Sequence, residues 1–290
     1  MDFLSARTAL VWAAFAGSGI AHLQAAPLAV TLVDDPTTLV SNIFGPGITI
    51  VGTPTLSSLP GQSGVFSNFN SGPYTQSSGA SGAYNLASGI ILTTGIASGA
   101  EGDYIGGPSF DASGLGDAAL SAISGSSTFD ADILSVSFRS ANPTLTLNFV
   151  FASSEYPTVG GTLPADPIGI FVNGSNLALV PGATTPISTR TVNANTNSGF
   201  FTQYSNPATP FNYGGATTIL TATANVSTSS VNTIRFAIAD AGDGSVDSAL
   251  LIQGGSVQAV PEPSAWVLSF TGAGLLCGFV FFGGRVGAQR

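Results

Sequence analysis

The chain has 290 residues, room for one large domain, yet charged side chains make up only 7 % of it, with six arginines, no lysine and a net charge of −9. No basic patch can be assembled from so few cations, which excludes nucleic-acid binding, and the Glu, Lys and Arg that coat ordinary helices give way to Ser, Thr, Asn and 37 glycines, residues suited to strands and turns. The sole histidine, His22, and the sole cysteine, Cys277, lie in apolar stretches near the two ends, so the body holds no Ser-His-Asp or Cys-His machinery, no Schiff-base lysine and no His- or Cys-ligated metal.

In chain order, residues 1–26 read as a secretory signal peptide: Arg7, an apolar run from Ala9 to Ile20, then Ala25 and Ala26. A retained N-terminal membrane anchor is the alternative. Residues 27–259 contain neither a linker nor an internal repeat and read as one domain. Runs of β-branched and aromatic residues between Gly, Pro, Asn and Ser clusters predict strands at Leu28–Val33, Ile48–Val51, Gly89–Thr94, Leu134–Phe138, Leu145–Phe151, Ile168–Val172, Thr217–Thr223, Thr233–Ala239 and Ala249–Ile252. Leu145, Leu147, Phe149 and Phe151 alternate with Thr146, Asn148 and Val150, the period of a strand with one face covered. One short helix is predicted at Asp117–Ile123. The expected fold is an all-β, antiparallel, jelly-roll-like β-sandwich.

Four segments carry a resemblance. They are Ser88-Gly89-Ile90-Ile91-Leu92-Thr93-Thr94-Gly95, Phe149-Val150-Phe151-Ala152-Ser153-Ser154-Glu155-Tyr156-Pro157, Asp166-Pro167-Ile168-Gly169-Ile170-Phe171-Val172-Asn173-Gly174 and Ala239-Asp240-Ala241-Gly242-Asp243-Gly244-Ser245-Val246-Asp247-Ser248. In order and spacing they resemble the choice-of-anchor L domain across roughly residues 34–257. The resemblance implies an extracellular β-rich domain joined to a C-terminal sorting anchor, with no enzymatic activity.

In so uncharged a chain the acids need reasons. Asp240, Asp243 and Asp247 crowd a loop bearing Gly242 and Gly244, and Glu155 and Asp166 each sit beside an apolar strand. Hard oxygen donors on a glycine-bearing loop suit Ca²⁺, which takes six to eight oxygens. Turn capping, with the carboxylates accepting backbone N–H groups, is the alternative. Catalysis by carboxylates alone is the one enzymatic route left: a glycoside hydrolase pairing Glu155 with Asp166 or Asp243, or a carbohydrate-binding module on the same sandwich. Against it, both tryptophans, Trp12 and Trp266, fall outside the body.

Past residue 259, Val260-Pro261-Glu262-Pro263 leads into the uncharged run Ala265–Gly284, followed by Arg285 and Arg290. A helix of that length spans about 30 Å, the hydrocarbon thickness of a bilayer, and arginines only on its far side leave the C-terminus cytoplasmic. A Pro-Glu-Pro, an apolar span and a basic tail together resemble the PEP-CTERM sorting signal of Gram-negative bacteria, also known as an ice-binding-protein C-terminal domain. The resemblance implies a partner, an exosortase-type membrane protease, and delivery of a membrane-tethered precursor to the cell surface or extracellular polysaccharide. An ordinary single-pass anchor is the alternative.

Overall fold

The computed structural model describes residues 28–69, 74–75, 81–82, 85–156, 165–204 and 211–261. The signal segment 1–26, the apolar span 265–284, Glu262, Pro263, Arg285 and Arg290 lie outside them. No helix among the described residues is long and apolar enough to cross a membrane.

The chain opens with β1 (Ala29–Leu32), α1 (Pro36–Ile43), β2 (Ile48–Ser57), β3 (Ser63–Phe69), the two-residue strands β4 (Tyr74–Thr75) and β5 (Ser81–Gly82), β6 (Leu86–Thr93) and α2 (Ala118–Ser124). It continues with β7 (Thr128–Ser140), β8 (Thr144–Ser153), β9 (Ile168–Val172), β10 (Ser175–Asn176), β11 (Phe201–Gln203), β12 (Gly215–Thr217) and β13 (Leu220–Asn225). The last strands are β14 (Asn232–Ala241), β15 (Ser248–Gln253) and β16 (Gln258–Val260). All strand pairings are antiparallel.

A nine-stranded sheet runs β1-β3-β6-β15-β8-β12-β11, with β13 and β16 also paired to β8. A five-stranded sheet runs β10-β9-β14-β7-β2. The two sheets share one core, in which Ile90, Leu92, Leu147, Phe149, Phe151 and Leu250 of the larger meet Leu134, Val136, Phe138, Ile168, Phe236 and Ile238 of the smaller. The expected sandwich is therefore present, and Ile168–Val172 matches its predicted bounds.

Two local expectations are corrected. The segment Thr217–Thr223 is not one strand: the Thr217 hydroxyl accepts the Phe151 N–H at 3.0 Å where a backbone carbonyl would serve, and pairing with β8 resumes only at Leu220. The chain also has a second α-helix, α1, not expected from the sequence. Its N-cap, Asp35, accepts from the N–H groups of Thr37 and Thr38, Pro36 opens the first turn, and Leu39, Val40 and Ile43 are buried.

The helix at Asp117–Ile123 is present as α2, with Asp117 accepting the N–H groups of Ala119 and Leu120, each at 3.0 Å. Gly125, in the left-handed region at φ 75°, ends it. Asp117 also pairs with Arg235, whose guanidinium lies over the Phe171 ring, 5.2 Å from its centroid. Burial alone would raise the Asp117 carboxyl, but Arg235 and the two helix N–H groups outweigh it and hold the group below its ordinary value. Asp117→Ala removes cap and ion pair together and should cost about 1–2 kcal/mol, whereas Asp117→Asn keeps the cap and should cost less. Urea unfolding of both variants measures the difference.

Candidate functional site

At one end of the sandwich the core-facing rows change from apolar to polar. In β6 the row Ile90, Leu92 continues to Thr94, in β8 Phe149, Phe151 continues to Ser153, and in β15 Ile252, Leu250 continues to Ser248. Across the core, Ile170, Ile168 continues to Asp166, Phe236, Ile238 to Asp240, and Val136, Leu134 to Asp132. Side chains two residues apart on a strand share a face, so these polar groups form a layer between the sheets. Every one of them is buried: Asp132 0 %, Asp166 2 % and Asp240 1 % exposed, with Thr94, Ser153 and Ser248 likewise enclosed.

Contacts across the layer tie the two sheets together. Asp166 accepts the Ser248 hydroxyl at 2.7 Å and the Ala241 N–H at 2.9 Å. Asp132 accepts the Ser63 hydroxyl at 2.8 Å. Neither carboxylate oxygen of Asp240 has a hydrogen-bond partner. The Thr94 hydroxyl lies close enough to draw the Asp240 pKa down without completing a hydrogen bond; it does accept the Ser248 N–H at 3.0 Å.

The electrostatics follow from burial without cations. Burial, then the charge of Asp166, pushes the Asp240 carboxyl up to about 10; Asp247 and Asp130 add to the rise. Burial, then Glu155, raises Asp166 well above its ordinary value. Burial likewise raises Glu155, opposed by the Thr189 hydroxyl at 2.6 Å and by Arg190. Burial carries Asp132 to about 7 and Asp247 to about 6.

The acids expected to act as one loop site are separated. Asp243 is exposed and accepts its own Ser245 N–H at 3.1 Å and hydroxyl at 3.2 Å, a turn cap. Asp247 is buried and accepts the Phe110 N–H at 2.7 Å, its carboxylate lying where a side chain on Gly95 would have to go. Asp240 faces the interior, next to Asp166 rather than Asp243. Glu155 stands behind Asp166, whose N–H it accepts at 3.5 Å. Among the described residues no three acids surround a common point at metal-holding distance. With Asp166 enclosed between the sheets, the Glu155 and Asp166 pair offers no face to a sugar.

Asp130 and Asp132 were missed, although Asp130-Ala131-Asp132-Ile133-Leu134 places both on the alternate positions that become the buried row of β7. Asp130 accepts the N–H groups of Ala112 and Gly114, holding the 107–116 loop over the layer. Asp111 and Asp243 border an outer cleft of about 520 Å³ with Gly114, Phe129 and Gly244.

No match is found among curated proteins or solved structures. The family model of the choice-of-anchor L domain matches residues 32–258, from the end of β1 to the start of β16. That span contains the smaller sheet, the larger sheet apart from most of β1 and β16, and every residue of the polar layer. The chain belongs to the choice-of-anchor L domain family, which is not an enzyme family and whose members are surface-exposed or exported proteins.

Proposed function

We propose that the chain is an exported structural or adhesive protein of the cell surface or exopolysaccharide matrix, first tethered by a C-terminal membrane segment and then sorted by an exosortase-type protease. The observation that supports this most directly is the place of the motif against the last described strand. β16 ends at Val260, and Pro261 follows it exposed, so Pro261-Glu262-Pro263 begins on the last strand with no spacer. A processing enzyme in the membrane would meet the motif directly after β16. The apolar run 265–284 and the arginines beyond it supply the rest of the signal.

The experiment is mass spectrometry of surface material and inner membrane from a host that carries an exosortase. Surface material should yield peptides from the folded part and none past about Trp266. Glu262→Ala should leave the full-length chain in the inner membrane. Intact chain confined to the membrane without any substitution, or release of Glu262→Ala at the unaltered level, would leave a plain anchor in place of a sorting signal.

A further inference from the structure

We infer that the polar layer is a calcium-binding site, with Asp240 and Asp166 as its two carboxylate ligands and the Thr94 and Ser248 hydroxyls beside them. The inference rests on Asp240. It is 1 % exposed, it sits on the core-facing row of β14, and neither of its carboxylate oxygens has a partner. A buried carboxylate normally keeps its charge only with donors or a cation to offset the desolvation. Every charge acting on Asp240 is another carboxylate: Asp166, Asp247 and Asp130. Asp247 Oδ2 and Asp132 Oδ1 are likewise buried without a partner, so several carboxylate oxygens at this end of the core are unpaired.

The donor set selects the ion. Carboxylates and hydroxyls are hard oxygen ligands, and the layer has no sulfur or imidazole to attract zinc or copper. Mg²⁺ keeps several of its waters and demands near-octahedral order, which an enclosed space between two sheets does not favour. Ca²⁺ accepts irregular sets of six to eight oxygens, of which only some need be carboxylates. Two acids with the Thr94 and Ser248 hydroxyls supply oxygens of that kind where three converging acids are lacking. The site also joins the sheets, since Asp240 lies in the smaller with Asp166 just before its β9, and Ser248 lies in the larger with Thr94 just after its β6. Its occupant would add a cross-link at the end of the sandwich. The proposal is independent of how the chain is anchored or sorted.

The test uses the full-length chain in a neutral detergent at pH 7.5, with Ca²⁺ binding measured by equilibrium dialysis and thermal unfolding followed in EDTA and in Ca²⁺. Dialysis should show Ca²⁺ retained in competition with a tenfold excess of Mg²⁺. At about 100 times the dissociation constant, Ca²⁺ should raise the Tm by roughly 5–10 °C. Asp240→Asn should abolish that rise and weaken binding at least tenfold, yet melt no lower than the unaltered chain in EDTA, because without a metal the buried carboxyl holds its proton at pH 7.5 and a neutral amide of the same shape takes its place. Asp243→Asn, which alters an exposed turn and removes only a distant charge from Asp166, should keep most of the response. If Asp240→Asn does not fold, Thr94→Val serves in its place and should weaken binding. Coincident EDTA and Ca²⁺ curves with no Ca²⁺ retained on dialysis would overturn the proposal. So would an unaltered Ca²⁺ response in Asp240→Asn, or one lost in Asp243→Asn alone, which would place the ion in the exposed loop.

Discussion

In EDTA the protein should lose stability as the pH rises from about 4 to 8, since Asp240, Asp166, Glu155, Asp247 and Asp132 are all raised, and Asp132→Asn should remove the share of that loss that belongs to Asp132. Asp132 is fully enclosed; Oδ2 accepts the Ser63 hydroxyl at 2.8 Å and the Thr93 N–H at 3.3 Å, while Oδ1 has no partner. Burial is the largest influence on its carboxyl, the two hydrogen bonds oppose it, and Asp34 adds to it, leaving the group at about 7. In the unfolded chain the same carboxyl ionises near 4. Between those values the folded state holds a proton that the unfolded state has released. The contribution is therefore complete below about pH 4 and is lost as the pH climbs through 7, at most about 1.4 kcal/mol per unit and about 4 kcal/mol in all. Asparagine cannot ionise and keeps an oxygen for Ser63 and Thr93, so the variant should be the more stable protein above pH 7. Urea unfolding of both proteins at pH 4, 5.5, 7 and 8 decides the matter. Parallel pH profiles would show that Asp132 ionises normally in the fold.

Phe149→Ala should cost about 3–5 kcal/mol, a large share of the 5–15 kcal/mol typical of a whole domain. Phe149 lies 1 % exposed on β8, paired with Leu220 on one side and Ile252 on the other, and its ring enters the core shared by both sheets. Strands on both flanks limit how far the site can collapse, so most of the cavity would remain. Thr146→Ala, on the opposite face of the same strand and only half-buried, should cost under about 1 kcal/mol. The two midpoints in urea, measured side by side, give the contrast. Similar losses for both would mean that the sheets are not held together through this row.

What could be read in advance followed how local each signal is. Alternation in Leu145–Phe151 and the apolar run Ile168–Val172 are local, and both became strands where expected. The helix α1 was readable too, from Asp35 as cap and Pro36 in the first turn, but its eight residues carry Thr, Val, Ser and Asn, which weaken the helical pattern. β3 was hidden because Ser63-Gly64-Val65-Phe66-Ser67-Asn68-Phe69 mixes turn residues with strand formers, and Asn68 takes a positive φ of 63° within it. Among the site residues, Asp240 and Asp166 stood out by charge. Their hydroxyl neighbours did not, because nothing near Thr94 in sequence announces that its N–H will bond the Ser248 carbonyl 154 residues later. The burial of Asp240 follows from β14 extending the Ile234, Phe236, Ile238 row by one more step, which only the pairing with β9 makes visible.

The exit of the chain has a mechanical meaning. Strand β16 runs antiparallel to the first residues of β8, with Val260 opposite Thr144, and its segment is held on its other side as well: Val257 donates to Ile43, Gly45 donates to Val257 and Ala259 donates to Pro46. A Cβ on Gly45 would strike the Gly255 carbonyl and one on Gly47 the Ala259 carbonyl, so both glycines allow this close approach. The acid-bearing end of the sandwich lies near Ser153, about 30 Å up β8 from Thr144. If the chain is tethered beyond Pro261 as proposed, tension between that tether and anything gripped at the far end would load β16 along its own axis. Its bonds to both neighbours would be sheared together rather than peeled one at a time. A domain fastened in this way can carry force from its tip to its base without first surrendering the strand that holds it.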